Sequence, residues 1–473
     1  MAANRRLPVS PQSLAAPARH LTRAFVIPTL SDFRPRLDSP SSVRRFLAVA
    51  AIFSTALLIY ASFVPLRFRP LSWQETLQAW RNIPWLSLDV FHRADWVANA
   101  LVVLPAGVLA AAAVDWGRHS TWQLVLATPL IAFGLALVVI GIELAQVWFP
   151  PRTVSLNDIA AGFVGAALGP MLWAVGGTLA ERTITGFLTL PHFRDRLAWL
   201  CVVWFVGAAI YSILPLDVVL SSAEWRDRIE SGRISLVPFT GAGGLTSKLF
   251  DASLAAVRMA PLGVYFFLRS NRRVSFYAFW LLPIALELIQ LPVYSKFVTG
   301  TAVVGGWCGG WCGYYLASKL DRLAWIARQP VIWGVCWLLT VLVAVVALLS
   351  GAQQFVDDPL QVQQRYELAW TAPLVKYYAG SEYSAYTVML EKMALFGAIG
   401  VACAGWTNSV SSRTGRWIHW ASLLLIAAVA VGIEWMQVYL LPFVPDFSDA
   451  FVYMSGYAAG YVGMKVLWGP TDS

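Results

Sequence analysis

Long apolar runs recur along the chain from Phe46 onward. Each run holds roughly 18 to 25 residues, enough for a helix to cross about 30 Å of lipid hydrocarbon. The runs are continuously apolar rather than alternating, and backbone groups in lipid must be satisfied within their own segment, so the pattern predicts helices. We predict twelve membrane-spanning helices, at residues 46–66, 95–114, 123–147, 158–178, 197–218, 251–269, 275–293, 301–317, 331–350, 388–406, 417–441 and 448–467.

The composition agrees with this reading. Of the 473 residues, 58% are hydrophobic and only 13% are charged, which is too few polar residues to cover a water-soluble protein of this size. The formal net charge of +9 comes from Lys and Arg between the spans, so it indicates topology and contact with anionic lipid headgroups. The sequence therefore predicts an all-α integral membrane protein whose partners are membrane lipids, with no nucleic acid.

The orientation follows from the positive charges. Lys and Arg concentrate in the N-terminal tail and in every second short connection, and positively charged segments remain on the cytoplasmic side. This pattern predicts a cytoplasmic N-terminus and, after twelve crossings, a cytoplasmic C-terminus. Residues 1–44 are rich in Pro, Ser and Arg and have no apolar period, so we predict a disordered basic cytoplasmic tail. Residues 351–387 are predicted to form an outer loop.

A Glu-x-x-Gln tetrad recurs in three of the predicted helices. In each copy, glycines stand 22 and 26 positions after the Glu, and repetition at one spacing indicates internal repeats. The chain then divides into a first module (45–180), a degenerate second module (197–320) and a degenerate third module (330–468). Each module has four predicted helices, an even number, so the copies are parallel repeats with one orientation. The tetrads are Glu143 to Gln146, Glu287 to Gln290 and Glu434 to Gln437.

The first module carries the fullest set of polar residues. The predicted topology places all of them at outer helix ends or in one short outer loop, where they can converge on a substrate. Carboxylates inside a bilayer are costly and usually face a bundle interior, a cation or a ligand path. The predicted binding residues are Asp95, Asn99, Glu143, Gln146, Arg152, Ser155 and Asp158.

Three uses of this set are open. Arg152 can fork onto a phosphate or carboxylate of a polar lipid headgroup, or the carboxylates can hold a divalent cation that bridges to phosphate. Alternatively, the polar groups only lock helices together, while Arg152 extends to the interface. The other modules have lost part of the set. The positions of Arg152, Ser155 and Asp158 become Lys296, Thr299 and Ala302 in the second module and Phe443, Asp446 and Asp449 in the third.

Motifs for other chemistry are missing from the sequence. It has no glycine-rich phosphate loop, no His-Glu-x-x-His zinc motif and no Gly-x-Ser-x-Gly nucleophile elbow. All five cysteines fall inside predicted helices, which argues against disulfides and a zinc cluster. We therefore predict no cofactor and no resident metal, and the catalytic residues, if the protein is an enzyme, are unknown.

The polar set of the first module, together with Pro105 and Gly107, resembles the signature of the VanZ-like membrane proteins. The resemblance extends over residues 45–175, is partial in the second module, and in the third is limited to the tetrad, Asp449 and the glycines. It implies a multi-pass protein of the bacterial inner (plasma) membrane. It also implies a link to resistance against the glycopeptide antibiotic teicoplanin, and it implies no particular reaction.

Three classes of function follow. The first is a protein of the bacterial envelope that binds or modifies a phosphorylated lipid or glycan at the outer leaflet, such as a lipid-linked cell-wall intermediate. The second is a transporter or lipid permease with a path between the three modules. The third is an intramembrane hydrolase or transferase with paired carboxylates as acid and base, for which the sequence offers no nucleophile.

Overall fold

Helices dominate the computed structural model, which describes residues 39–240, 244–269, 272–319, 329–370, 373–379 and 382–468. The helices are grouped here by the three modules predicted from the sequence. The segment predicted as the first module contains α1 (Pro40–Phe63), α2 (Trp73–Arg81), α3 (Val90–Asp115), α4 (Thr121–Gln146) and α5 (Leu156–Thr189). The second contains α6 (Phe193–Ile213), α7 (Ser222–Glu230), α8 (Leu245–Arg269), α9 (Arg272–Ile289) and α10 (Gly300–Ser318). The third contains α11 (Pro330–Leu349), α12 (Pro359–Ala369), a 3₁₀ turn (Val375–Ala379), α13 (Glu382–Asn408), α14 (Ser412–Val438) and α15 (Asp449–Trp468).

Two small β-pairs tie loops together at helix ends. β1 (Ile234–Ser235) pairs in parallel with β2 (Val298–Thr299) in the second module. In the third module, β3 (Gln354–Phe355) pairs antiparallel with β4 (Leu440–Leu441). Each pair joins the connection after the module's first long helix to the connection before its last helix.

The all-helical fold predicted from the sequence is confirmed. Among the described residues, nine helices are long and apolar enough to cross a bilayer, namely α1, α3, α4, α5, α6, α8, α11, α13 and α14. The other three predicted spans coincide with α9, whose apolar part is Phe276–Ile289, and with α10 and α15, which are 19 and 20 residues long. Glycine and tyrosine lower the hydropathy of α10 and α15, so the count of twelve stays a prediction.

Several boundaries differ from the prediction. Helix α1 begins at Pro40, inside the predicted tail, because the Ser39 hydroxyl accepts a hydrogen bond from the Ser42 N–H at 3.3 Å and caps the helix. Residues 1–38 of the predicted tail lie outside the described residues. The short helices α2, α7 and α12 occupy loops where the apolar pattern predicted no element. Their polar sequences carry no lipid-length apolar run, which is why that pattern missed them.

Glycines set the closest helix contacts. In each module one long helix packs against a row of glycines on the module's last helix. These long helices are α3, α8 and α13. A Cβ atom added to one glycine of each row would lie close to a facing carbonyl oxygen, at 2.2 Å for Gly165, 2.1 Å for Gly309 and 2.3 Å for Gly456. Only glycine permits this approach, as in other membrane helix pairs. Large apolar side chains such as Phe53 and Leu130 remain exposed on the outer helix faces, as expected for contact with lipid.

Each module touches the other two. Arg93 of α3 donates to the Glu224 carboxylate of α7 at 3.0 and 3.1 Å, and this bond lowers the pKa of Glu224 to about 2. The Tyr60 hydroxyl of α1 donates to the Pro373 carbonyl oxygen at 2.7 Å. Arg196 of α6 donates to a carbonyl near the end of α15. These polar contacts place the third module beside the predicted site of the first.

Candidate functional site

The seven predicted binding residues line one cavity of about 510 Å³ in the first module. They come from the first turns of α3, the last turn of α4, the α4–α5 connection and the start of α5, so all lie at one end of the helices. Further along the same helices the walls become apolar, with Leu58, Val103, Val139 and Ile142. The cavity therefore has a polar end and an apolar end.

Asp158 is held at the cavity wall by two neighbouring side chains. Its Oδ1 atom accepts from the Asn99 amide at 2.6 Å, and its Oδ2 atom accepts from the Ser155 hydroxyl at 2.6 Å. Ser155 in turn caps α5, because its hydroxyl accepts from the Asp158 N–H at 3.1 Å. A negative charge in the first turn of a helix is favoured by the helix dipole. The local sequence thus fixes one anionic group at the cavity wall.

Arg152 and Gln146 bind the end of α1. Arg152 donates from Nε to the Val64 carbonyl at 3.0 Å and from Nη2 to the Ala61 carbonyl at 2.7 Å. Gln146 donates to the Ser62 carbonyl at 3.0 Å. Carbonyls at a helix C-terminus have no partner within the helix, so both side chains complete α1. The Nε–Nη2 edge of Arg152 consequently faces protein carbonyls, which does not favour the predicted fork onto a phosphate through that edge.

Asp95 and Glu143 face the same cavity from α3 and α4. The Glu143 side chain is buried. Within the described part of the chain, no hydrogen-bond donor reaches the buried Oδ1 atom of Asp95. Buried polar atoms in native proteins are normally bonded, so an orphaned oxygen at a cavity wall indicates a place for a ligand donor.

The corresponding region of the third module is closed by the chain itself. Glu434 and Asp449 are fully buried. The ammonium groups of Lys376 and Lys392 both contact Asp449, and Lys376 also lies 3.5 Å from Glu434. The Tyr377 hydroxyl donates to Asp449 at 2.7 Å. Burial, with the Asp449 charge beside it, raises the pKa of Tyr377, and although burial opposes it, the neighbouring carboxylates raise the pKa of Lys376.

The second module keeps the Glu and Gln of the tetrad but has no acidic residue at the start of α10. Glu287 accepts from the Thr299 N–H at 3.0 Å and from Gln290 at 3.2 Å, beside an apolar cavity of about 180 Å³. Lys296, at the position of Arg152, donates to the Tyr211 carbonyl at the end of α6 at 3.1 Å. Burial lowers the pKa of Lys296 to about 8. The cation thus completes the first helix here too, while Ala302 replaces the acid.

The sequence did not predict the third-module side of the cavity. Side chains of the third module complete the cavity wall, although they lie far from the first module along the sequence. The sequence pattern gives no sign of this wall, because it depends on a tertiary contact of the 3₁₀ turn and of α13 with the first module. These lining residues are Leu374, Tyr377, Ala385, Tyr386 and Met389.

The divalent-cation alternative predicted from the sequence would need clustered carboxylate ligands. Among the described residues, no three His, Cys, Asp or Glu side chains are grouped so that they could hold a metal ion.

Comparison with known proteins identifies the first module. Residues 39–177 match the family model described as VanZ/LLP1, so the resemblance predicted from the sequence is confirmed for that part of the chain. No curated protein and no solved structure gives a significant match.

Proposed function

We propose, because residues 39–177 form a VanZ-like domain, that this multi-pass protein binds a polar headgroup in its first-module cavity. The ligand is a membrane lipid or a lipid-linked cell-wall intermediate at the outer leaflet of the bacterial cell membrane. The observation that carries the proposal is the two-part cavity of about 510 Å³, with seven polar residues at one end and aliphatic walls at the other. A lipid has the same arrangement, with a polar headgroup followed by an apolar acyl or prenyl chain.

We also propose that the three modules are parallel repeats. The shared glycine contacts support this, as does the tetrad glutamine of the first and third modules, while Gln290 of the second bonds within its own helix. Gln146 donates to Ser62 at the end of α1, and Gln437 donates to Leu348 near the end of α11. In this scheme the first module alone binds ligand, since lysines fill the third site and the second lacks the α10 acid.

Binding is better supported than catalysis or transport. The Ser155 hydroxyl caps α5 and donates to Asp158, an arrangement that orders the cavity wall. A permease path between all three modules would need lining from each of them. The residues around the cavity belong to the first and third modules.

The test is expression of the intact gene in a host that lacks it, beside Asp95→Ala and Asp158→Ala variants at matched membrane abundance. The control is Asp251→Ala, because Asp251 holds the second-module position of Asp95 and its side chain is exposed. We expect the intact protein and the control to change the level of lipid-linked cell-wall intermediates, and both first-module variants to lose that change. Equal behaviour of all four proteins would mean that these carboxylates only pack helices.

Teicoplanin sensitivity of the same strains tests the implied phenotype. A shift that requires Asp95 and Asp158 would connect the cavity to resistance. An unchanged sensitivity, with altered lipid intermediates, would separate headgroup binding from any resistance.

A further inference from the structure

In the third module, lysine ammonium groups contact the acid at the start of the last helix, whereas in the first module the corresponding acid lines a cavity. In the third module, Asp449 holds the ammonium groups of Lys376 and Lys392. Neither carboxylate of that site, Asp449 or Glu434, has exposed side-chain surface. Two buried acids are thus neutralised by two primary ammonium groups of the same chain.

The sequence register assigns one of these lysines to a position on the first-module cavity. Gly397 corresponds to Gly107, so Lys392 corresponds to Val102, and Asp449 corresponds to Asp158. Val102 lines the first-module cavity. The same acid at the start of the last helix therefore faces an ammonium in one module and a cavity in the other.

Asp158 has two neutral donors where Asp449 of the third module has two ammonium groups. Asp158 accepts from the Asn99 amide and the Ser155 hydroxyl, and neither group carries charge. The buried Oδ1 atom of Asp95 accepts from no described donor. Burying carboxylates without a matching cation is costly. A cationic ligand group would relieve that cost at the position where the third module places Lys392.

We infer, resting on the headgroup binding proposed above, that the first-module cavity recognises a primary ammonium group, and that its ligand is a membrane lipid with an amine-bearing headgroup. An ammonium donates three hydrogen bonds and accepts none. It therefore suits two carboxylates, Asp158 with its remaining lone pairs and Asp95 with its unbonded Oδ1 atom. A quaternary ammonium has no N–H and cannot make these bonds. Asp95 and Asp158 are the expected acceptors.

The test compares lipids that share acyl chains and differ in headgroup. The purified full chain in detergent is titrated with ethanolamine, choline and glycerol phospholipids, and bound lipid is measured by native mass spectrometry. We expect the ethanolamine lipid to bind about tenfold tighter than the other two, since bonds to charged groups are the stronger ones. Asp158→Asn should remove the preference while Asp251→Asn keeps it.

A tethered ammonium gives a second, independent measurement. Val102→Lys should place an ammonium at Asp158, as Lys392 does at Asp449, and abolish binding of the ethanolamine lipid. Val102→Met adds similar bulk without charge, so it should weaken all three lipids by the same factor and preserve their order. Equal loss of the preference in both variants would contradict the ammonium assignment.

The outcomes separate this inference from the proposed function. If all three lipids bind equally and Asp158→Asn weakens them equally, the cavity binds headgroups but does not recognise an amine. If no lipid binds, the proposed function itself is wrong. Free ethanolamine that competes as strongly as its lipid would support the ammonium site and overturn the assignment to a lipid.

Discussion

At Asp449, one fully buried carboxylate is surrounded by two lysine ammoniums and the Tyr377 hydroxyl. Removing a charge from water is unfavourable, and the attraction between partners offsets this only when the geometry is complete. The cluster is therefore sensitive to the loss of any member. Asp446 and Tyr453 add two further donors to Glu434, through a backbone N–H at 2.9 Å and a hydroxyl at 2.8 Å.

Lys392→Met is expected to destabilise the protein strongly. Breaking a buried ion pair costs about 3–5 kcal/mol, and the loss here should stay below that range because Lys376 remains beside Asp449. Thermal unfolding in detergent, followed by tryptophan fluorescence, measures the change. Lys248→Met on α8 serves as the control and should shift the midpoint little.

The double variant Lys392→Met with Asp449→Asn checks the mechanism. Removal of the uncompensated charge should recover part of the lost stability. Losses that simply add would mean that Lys392 contributes packing rather than charge neutralisation.

The sequence predicted the first-module residues because each is a polar group inside or beside an apolar run. Asp95 and Asp158 stand out for that reason, and their shared helix end placed them together. It did not predict the part that Lys376 and Tyr377 play, because both lie in a short connection without a helical pattern. Their position depends on how the connection between α12 and α13 folds back over α13 and α15.

Among the helices, the glycine faces show how one spacing produces one contact. The glycines that follow each Glu by 22 and 26 positions bring carbonyls of the facing helix to the α5, α10 or α15 backbone. The spacing was visible in the sequence. The short helices α7 and α12 were not visible in the sequence, because they are held in place by arginine contacts to the ends of other helices. Arg228 and Arg365 donate to carbonyls at the ends of α9 and α14.

Two glycine substitutions within α5 should have opposite effects. In Gly165→Ala the new Cβ would lie 2.2 Å from the Ala100 carbonyl oxygen, and overpacking against backbone destabilises by about 1–3 kcal/mol. In Gly176→Ala the Cβ would meet nothing within 4 Å, so the higher helix propensity of alanine should add about 0.5–1 kcal/mol. Thermal unfolding of both variants measures the difference, and equal midpoints would rule out close α3–α5 packing.

For the whole molecule, the arrangement of modules decides which surface completes the cavity. Tyr377 contacts Asp449 in the third module and also lines the first-module cavity. The closed site of one module thus forms a wall of the open site of the other. The three modules stay a prediction from the sequence repeats, whereas this contact between α13, its preceding turn and the first-module cavity depends on side chains of distant segments.

The proposed function requires the cavity to open at the outer leaflet of the membrane. In a variant without the five native cysteines, Gln364→Cys on α12 and Arg118→Cys between α3 and α4 provide two exposed labelling positions. The positive charges predict that α12 is outside and the α3–α4 connection is cytoplasmic. An impermeant maleimide should therefore label Gln364→Cys in intact cells and Arg118→Cys only after permeabilisation. The cavity lies at the same helix ends as α12, so the reverse pattern would place it at the inner leaflet, where cell-wall intermediates on the outer surface could not reach it.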